Sequence, residues 1–234
     1  LYDIEFDAIS LNENFEMVIN DYDLPNGGII FPNPNAPTGV PLALSEIEGL
    51  LKINTESVVV IDEAYVDFGT ESAVKLINTY PNLLVTQTLS KARSLAGLRV
   101  GFALGHKDLI EALVRVKDSF NSYPIDCFAE AGAIAAMQDK AHFEQTRQKV
   151  MASRAALVLA LMALDFEVLP SGANFIFAKH KTREGAELTE KLREKNIIIR
   201  HFKKPARIAP YLRITIGTDV QSKALIEALT LILK

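Results

Sequence analysis

The chain has 234 residues, 49% of them apolar and 8% aromatic, with a formal charge of −4 at pH 7. This is an ordinary globular composition, and with no basic excess it carries no nucleic-acid footprint. One cysteine, Cys127, excludes an internal disulfide framework and suits a reducing compartment. Free cysteine is among the most buried residue types, so Cys127 is expected in the core. The four histidines, His106, His142, His180 and His201, are scattered without metal-ligand spacing, and no metal site is expected. No run of about eighteen apolar residues occurs, nor an opening segment with the basic and apolar pattern of a signal peptide, and a cytoplasmic protein fits.

Taken in order, the pattern predicts a short strand over 1–6, continued at a sheet edge over 9–11, and a helix over 15–19. Asn26-Gly27-Gly28 is turn chemistry. Ile29-Ile30-Phe31 then reads as a buried strand leading into Pro32-Asn33-Pro34-Asn35-Ala36-Pro37-Thr38-Gly39. Three prolines fix φ at three places in that loop, so Asn35 and Thr38 are held in position. Ser45 and Glu48 have capping-box spacing and open a helix running to about 53. The unbroken β-branched run over 58–61 predicts a parallel strand buried on both faces. It ends in Asp62-Glu63-Ala64-Tyr65. A second helix is expected over 72–80 and the next strand over 83–86.

Beyond that strand lies Gln87-Thr88-Leu89-Ser90-Lys91-Ala92-Arg93-Ser94-Leu95-Ala96-Gly97-Leu98-Arg99-Val100-Gly101. The polar stretch delivers a lysine at a strand end, where a partly desolvated amine is suited to Schiff-base chemistry. The hydroxyls of Thr88 and Ser90, with Arg99, could hold a phosphate near it. The plain alternative is a surface turn whose charges are solvated. An amphipathic helix follows over 107–120, with Leu109, Ile110, Leu113, Val114 and Val116 as its apolar stripe. Tyr123-Pro124-Ile125 breaks the pattern, and helices over 129–137 and 141–164 lead to a second unit. There, strands over 165–169, 174–178, 197–200 and 212–216 alternate with helices over 183–195 and 220–233.

Alternating strands and helices argue for a doubly wound α/β domain, whose ligands sit outside the carboxyl ends of the strands. Asn35, Asp62 and Lys91 all fall there, which points to one shared site. The domain boundary is expected near 138, with a mostly parallel large domain over 1–138 and a smaller α+β domain over 139–234.

Three of these segments carry a resemblance. N-P-N-A-P-T-G over 33–39, V-I-D-E-A-Y over 60–65, and T-L-S-K-A followed by A-G-L-R-V-G over 88–101, in this order, resemble the class I/II aminotransferases, pyridoxal-phosphate enzymes of fold type I. The wording is most similar to that of the histidinol-phosphate aminotransferases. The resemblance implies that a substantial N-terminal part of the family's large domain is absent, including a turn that helps hold the cofactor phosphate.

It also implies roles. Lys91 would carry pyridoxal phosphate as a Schiff base and move the proton between substrate and cofactor carbons as general base and acid. Asp62 would favour the protonated ring nitrogen. Tyr65 would bond the ring oxygen; Ala36 stands where many relatives have asparagine, so either Asn35 shares that task or the oxygen relies on Tyr65 alone. Thr88, Ser90 and Arg99 would bind the phosphate. Arg213, and Arg200 thirteen positions earlier, match the family's substrate arginines, and Asn174 and Tyr123 are further candidates to line the pocket. A snorkelling edge-strand charge is the alternative for Arg200. The implied reaction is transamination between histidinol phosphate or imidazole-acetol phosphate and glutamate or 2-oxoglutarate, by a homodimer with small-molecule partners and no membrane or nucleic acid. Other readings of the same resemblance are an aromatic or other amino-acid aminotransferase, a phosphothreonine decarboxylase, and an aminotransferase-like sensor domain of a transcription regulator.

Overall fold

The computed structural model describes residues 3–234 and holds two four-stranded sheets. The first has the order β1 (Ile29–Pro32), β2 (Val59–Asp62), β3 (Leu83–Thr88), β4 (Gly101–Gly105). The first three strands are parallel, and β4 returns antiparallel to β3. Helix α1 (Leu44–Ile53) links β1 to β2 and buries Ile47, Leu50 and Leu51 against Ile29, Phe31, Val59, Ile61, Leu83 and Val85. Three parallel strands with a helical crossover put their carboxyl ends, and the loops that leave them, on one side.

After β4 come α2 (Lys107–Phe120), α3 (Cys127–Gln138) and the 23-residue α4 (Lys140–Met162). The second sheet has the order β5 (Phe166–Val168), β6 (Phe175–His180), β8 (Leu212–Thr215), β7 (Arg200–His201), antiparallel throughout. Helices α4, α5 (Gly185–Glu194) and α6 (Asp219–Leu233) cover it, with Leu157, Leu161, Ile176, Leu188, Leu192, Leu212, Ile214 and Leu229 at the centre of its core. No helix among the described residues is long and apolar enough to cross a membrane.

Several local expectations are corrected. Residues 1 and 2 of the first expected strand lie outside the described residues, and 3–11 form no strand. Residues 15–19 are not a helix either: Phe15 has φ +62° and is buried against Phe177 and Tyr211 of the second sheet, which fixes this stretch by side-chain packing. Helix α1 starts one residue before Ser45. Its first-turn partner is Glu46, whose carboxylate accepts from the Ala43 N–H at 3.1 Å, while Glu48 accepts the Tyr80 hydroxyl at 2.6 Å. The expected helix over 72–80 is only a 3₁₀ turn, Ala73–Leu76, because Ser72 and the Ala73 N–H are bonded to Glu63.

The first sheet is not covered on both faces among the described residues. Val59 and Ile61 are fully buried, whereas Ile30 is 76% exposed. The apolar stripe of α2 is unburied too. Cys127 is exposed at the first turn of α3, where Asp126 caps the N–H groups of Phe128 and Ala129.

Candidate active site

The loop after β1 folds back through cis peptides at Asn33–Pro34 and Ala36–Pro37. Asn33 is fully buried and grips the Leu42 backbone, accepting from its N–H at 2.8 Å and donating to its carbonyl at 3.2 Å. It therefore staples the loop. Asn35 is half-buried; its Oδ1 accepts the Thr38 hydroxyl at 2.9 Å, so its amide NH2 is the end left for other partners.

At the end of β2 the pleat sends successive side chains to opposite faces. Asp62 is exposed, lies beside Pro32 and Thr86 in the register, and accepts from the Ala64 N–H at 3.0 Å. Glu63 faces inward at 1% exposure. Its carboxylate accepts from Ser72 Oγ at 2.6 Å, the Ala73 N–H at 2.6 Å and Gln87 Nε2 at 2.9 Å. Burial pushes its pKa up, and the three hydrogen bonds oppose that. The backbone then turns through Tyr65 into the 3₁₀ turn Val66–Phe68.

The turn after β3 is braced from inside. The Thr88 hydroxyl accepts from the Ser90 N–H at 3.1 Å and donates to the Val100 carbonyl at 3.3 Å, with Leu89 and Val100 buried beneath. Lys91 emerges half-buried, its Nζ 5.2 Å from the centroid of the Tyr65 ring. Arg93 departs the other way and bonds the Ala136 carbonyl, its guanidinium 3.9 Å from the Phe143 ring centroid. Arg99 is exposed at φ +56° and donates to the Ala96 carbonyl at 2.9 Å.

The second sheet closes the site. The ring of Tyr65 meets that of Phe175 edge to face, 5.1 Å between centroids at 88°. Arg213 lies against this aromatic pair, its guanidinium 5.1 Å from the Phe175 centroid and 5.7 Å from that of Phe202. Its register partner on β7 is Arg200, which lies 5.2 Å from the same Phe202 ring. Like charges directly opposite on paired strands repel, and neither guanidinium has a carboxylate partner among the described residues. Two buried polar atoms in this corner lack partners among the described residues: Arg213 Nε and Asn174 Oδ1.

The two halves are locked together by close backbone approach. The Gly172 N–H donates to the Gly39 carbonyl at 2.9 Å, joining the loop before β6 to the proline loop. A Cβ on Gly172 would lie 2.2 Å from Thr70 Oγ1, and one on Gly39, whose φ is +81°, 2.6 Å from Ser171 Oγ.

Of the residues named from the sequence, Lys91, Tyr65 and Arg213 share one chain of contacts, and Asn174 precedes Phe175 within it. Asp62 and Asn35 stand on the neighbouring strand ends, and Thr88, Ser90 and Arg99 on the lysine turn. Tyr123 is different: it stands 92% exposed in the link between α2 and α3 and lines no enclosed pocket here, because nothing among the described residues covers that link. The sequence reading missed Glu63, Phe175, Phe202 and Arg154. Glu63 carried a signal, an ionisable residue directly behind an all-apolar strand. The other three carried none.

A sequence model of the family described as aminotransferase class I and II matches residues 5–229. The chain belongs to that family. Among similar class I and II members is the histidinol-phosphate aminotransferase 2 of Thiobacillus denitrificans, 62% identical over 98% of this chain and 64% of that relative. The chain thus spans just under two thirds of the length of the curated relatives it matches. In fold it is similar to the histidinol-phosphate aminotransferase of Clostridium acetobutylicum, with TM-score 0.86 at 24% identity over 95% of this chain and 70% of that one. It is also similar to the Sinorhizobium meliloti histidinol-phosphate aminotransferase solved in complex with pyridoxal-5'-phosphate, with TM-score 0.78 at 22% identity over 88% and 57% of the two chains. The fold is therefore the fold type I expected from the sequence, with the large mostly parallel sheet and the smaller α+β unit of this aminotransferase family both represented.

Proposed function

We propose that this chain carries the reactive lysine and the substrate arginines of a pyridoxal-phosphate-dependent aminotransferase. It would exchange an amino group between histidinol phosphate or imidazole-acetol phosphate and glutamate or 2-oxoglutarate, in histidine synthesis. The observation that supports this best is the run of contacts from Lys91 through Tyr65 and Phe175 to Arg213, which brings an amine and a guanidinium to one pair of aromatic rings. The name borne by the relative at 62% identity supports the substrate class, and the ligand of the Sinorhizobium meliloti structure supports the cofactor.

The donor set suits that cofactor: an amine without an ion-pair partner among the described residues, an exposed carboxylate at a strand end, a phenol, a free amide NH2, and a hydroxyl and guanidinium on the lysine turn. When bound, pyridoxal phosphate supplies the electron sink for the chemistry. Lys91 Nζ would serve as the general base that takes the proton from the substrate carbon and as the general acid that gives it back. Asp62 keeps a ring nitrogen beside it protonated through its opposite charge. Tyr65 and the Asn35 NH2 donate to the ring oxygen. Ser90 and Arg99 hold the phosphate, while Thr88, spent within the turn, fixes the Ser90 backbone. Arg213 and Arg200 take the anionic ends of the substrates, since guanidinium meets carboxylate or phosphate through paired bonds. Two arginines suit a pair of substrates of which one carries two carboxylates and the other a phosphate. As in the family it resembles, the protein would work as a homodimer, which sedimentation of the complete protein tests.

Assay of the complete protein with histidinol phosphate and 2-oxoglutarate is expected to show amino transfer. Activity on phenylalanine with none on the phosphate ester would overturn the substrate assignment.

A further inference from the structure

Arg154 projects from the middle of α4, half-buried and with no carboxylate partner among the described residues. Its Nη1 donates to the Phe68 carbonyl at 2.9 Å and to the Ala173 carbonyl at 2.6 Å. These two oxygens belong to different halves of the molecule. Phe68 closes the 3₁₀ turn that begins just after Tyr65, and Ala173 lies two residues before Phe175 at the mouth of β6. One guanidinium nitrogen therefore ties together, from behind, the two segments whose rings meet edge to face in the site. The turn ends at Gly69, whose φ of +119° lets the chain leave it, and Arg154 Nη2 lies within van der Waals reach of that glycine.

Arg147, two helical turns earlier on α4, adds a second tie by donating to the Asp67 carbonyl at 3.3 Å. It holds only the Tyr65 side. Arg154 alone of the two reaches both. The Arg93 and Arg147 charges favour the ionised Asp67 carboxyl, but burial outweighs them and raises its pKa, so that acid is not a strong ion-pair anchor for the turn. The carbonyl clip is the stronger candidate because hydrogen bonds from a charged donor are about twice as strong as neutral ones.

We propose that Arg154 is a positioning residue that sets the separation between the Lys91 side of the site and the Arg213 side. Its hydrogen bonds go to backbone carbonyls and not to any side chain assigned above to substrate or cofactor, and the inference rests on the function proposed above. A substrate bridging the two sides feels that separation directly, because the paired bonds between guanidinium and carboxylate are geometrically demanding and weaken when the Arg213 side shifts.

The test uses the complete cofactor-loaded protein. Arg154→Met keeps much of the side-chain length and removes both donors; Arg154→Lys keeps the charge with a single donor head. The expected result is a KM for 2-oxoglutarate raised about tenfold in Arg154→Met and less in Arg154→Lys, with kcat within about threefold of wild type. In parallel, amide hydrogen exchange in the cofactor-free protein is expected to accelerate in 66–70 and 172–175 and not in the core of either sheet. Unchanged KM would overturn the proposal. So would exchange that rises everywhere together with loss of cofactor affinity, since that marks a general structural role. If Arg154→Met does not fold, Arg154→Lys is judged by the same two criteria. Absence of amino transfer in the wild type would remove the function reading instead, and confinement of the exchange effect to those two segments would still decide whether Arg154 is the clip.

Discussion

The ammonium of Lys91 stands over the face of the Tyr65 ring, 5.2 Å from its centroid, and makes no ion pair among the described residues. A cation over an aromatic face gains only about 0.5–1 kcal/mol near the surface, so the contact orients the amine without holding it firmly. Removing the amine while keeping the backbone should leave the fold intact and abolish the chemistry. Lys91→Ala is expected to fold with a melting temperature close to wild type and to lose 10²-fold or more in activity, about the scale of a lost general acid and base. After borohydride treatment, mass spectrometry should find cofactor fixed to Lys91 in the wild type and none in the variant. Cofactor fixed to the variant at another lysine would remove Lys91 from the role.

The two arginines should separate in their effects. Arg213 has its Nε buried without a partner among the described residues and two aromatic rings against its guanidinium, whereas Arg200 is exposed on the edge strand. Losing a desolvated charged contact typically costs 2–5 kcal/mol and an exposed one far less. Arg213→Ala should therefore raise the KM for glutamate about 10²-fold, and Arg200→Ala by about tenfold or less, in steady-state assays. Equal effects would mean that the edge arginine is as enclosed as its neighbour when substrate is bound.

Much of this arrangement was legible before any coordinates, and the rest for definite reasons was not. Apolar runs ending in polar residues marked the carboxyl ends of β1, β2 and β3, so Asn35, Asp62 and Lys91 could be placed together. The helical period gave α2 and α6 almost to the residue. The failures share a cause, which is a distant partner overriding a local signal. A helix over 72–80 is cut short by the Glu63 carboxylate, and 15–19 is held irregular by packing of Phe15 on Tyr211. Phe175 and Phe202 carried no signal that set them apart from other aromatic residues. Arg154 was invisible because its partners are carbonyl oxygens 86 and 19 residues away, and a carbonyl leaves no trace in a sequence.

Glu63 makes a prediction about stability and pH. Its three donors leave it fully bonded as an anion, yet burial raises its pKa. The native state therefore holds the proton more tightly than the unfolded chain. Stability from this group is greatest below the unfolded value near 4.5 and falls as pH rises through the native pKa, after which it is constant. Glu63→Gln, with the Gln87 amide able to turn and offer its oxygen, should fold and lose that descending limb in a plot of melting temperature against pH. Glu63→Ala leaves the Ala73 N–H, Ser72 and Gln87 without their acceptor and should cost about 3 kcal/mol or more by urea unfolding. A melting profile in Glu63→Gln that falls with pH as steeply as wild type would assign the limb to another group.

The paired glycines that join the two halves should fail for different reasons. At Gly172 the obstacle is one atom: a Cβ would lie 2.2 Å from Thr70 Oγ1, while its other neighbours are at 3.5 Å or more. Thr70 Oγ1 makes only a 3.5 Å contact with the Gly172 carbonyl, so little is lost by removing it. Gly172→Ala should then destabilise by about 2 kcal/mol, as overpacking does, and Thr70→Ala in the same chain should restore most of it. At Gly39 the φ of +81° remains whatever the neighbour is. The neighbour itself is also engaged, since Ser171 Oγ donates to the Phe175 carbonyl at 2.6 Å and accepts from the Ala173 N–H at 3.1 Å. Gly39→Ala should cost about 2–4 kcal/mol, and adding Ser171→Ala should rescue nothing, because it removes those two bonds and leaves the backbone strain in place. A double-mutant cycle by urea unfolding reads both cases at once. Rescue at Gly39 comparable to that at Gly172 would show that contact alone, and not backbone conformation, excludes a side chain from the proline loop.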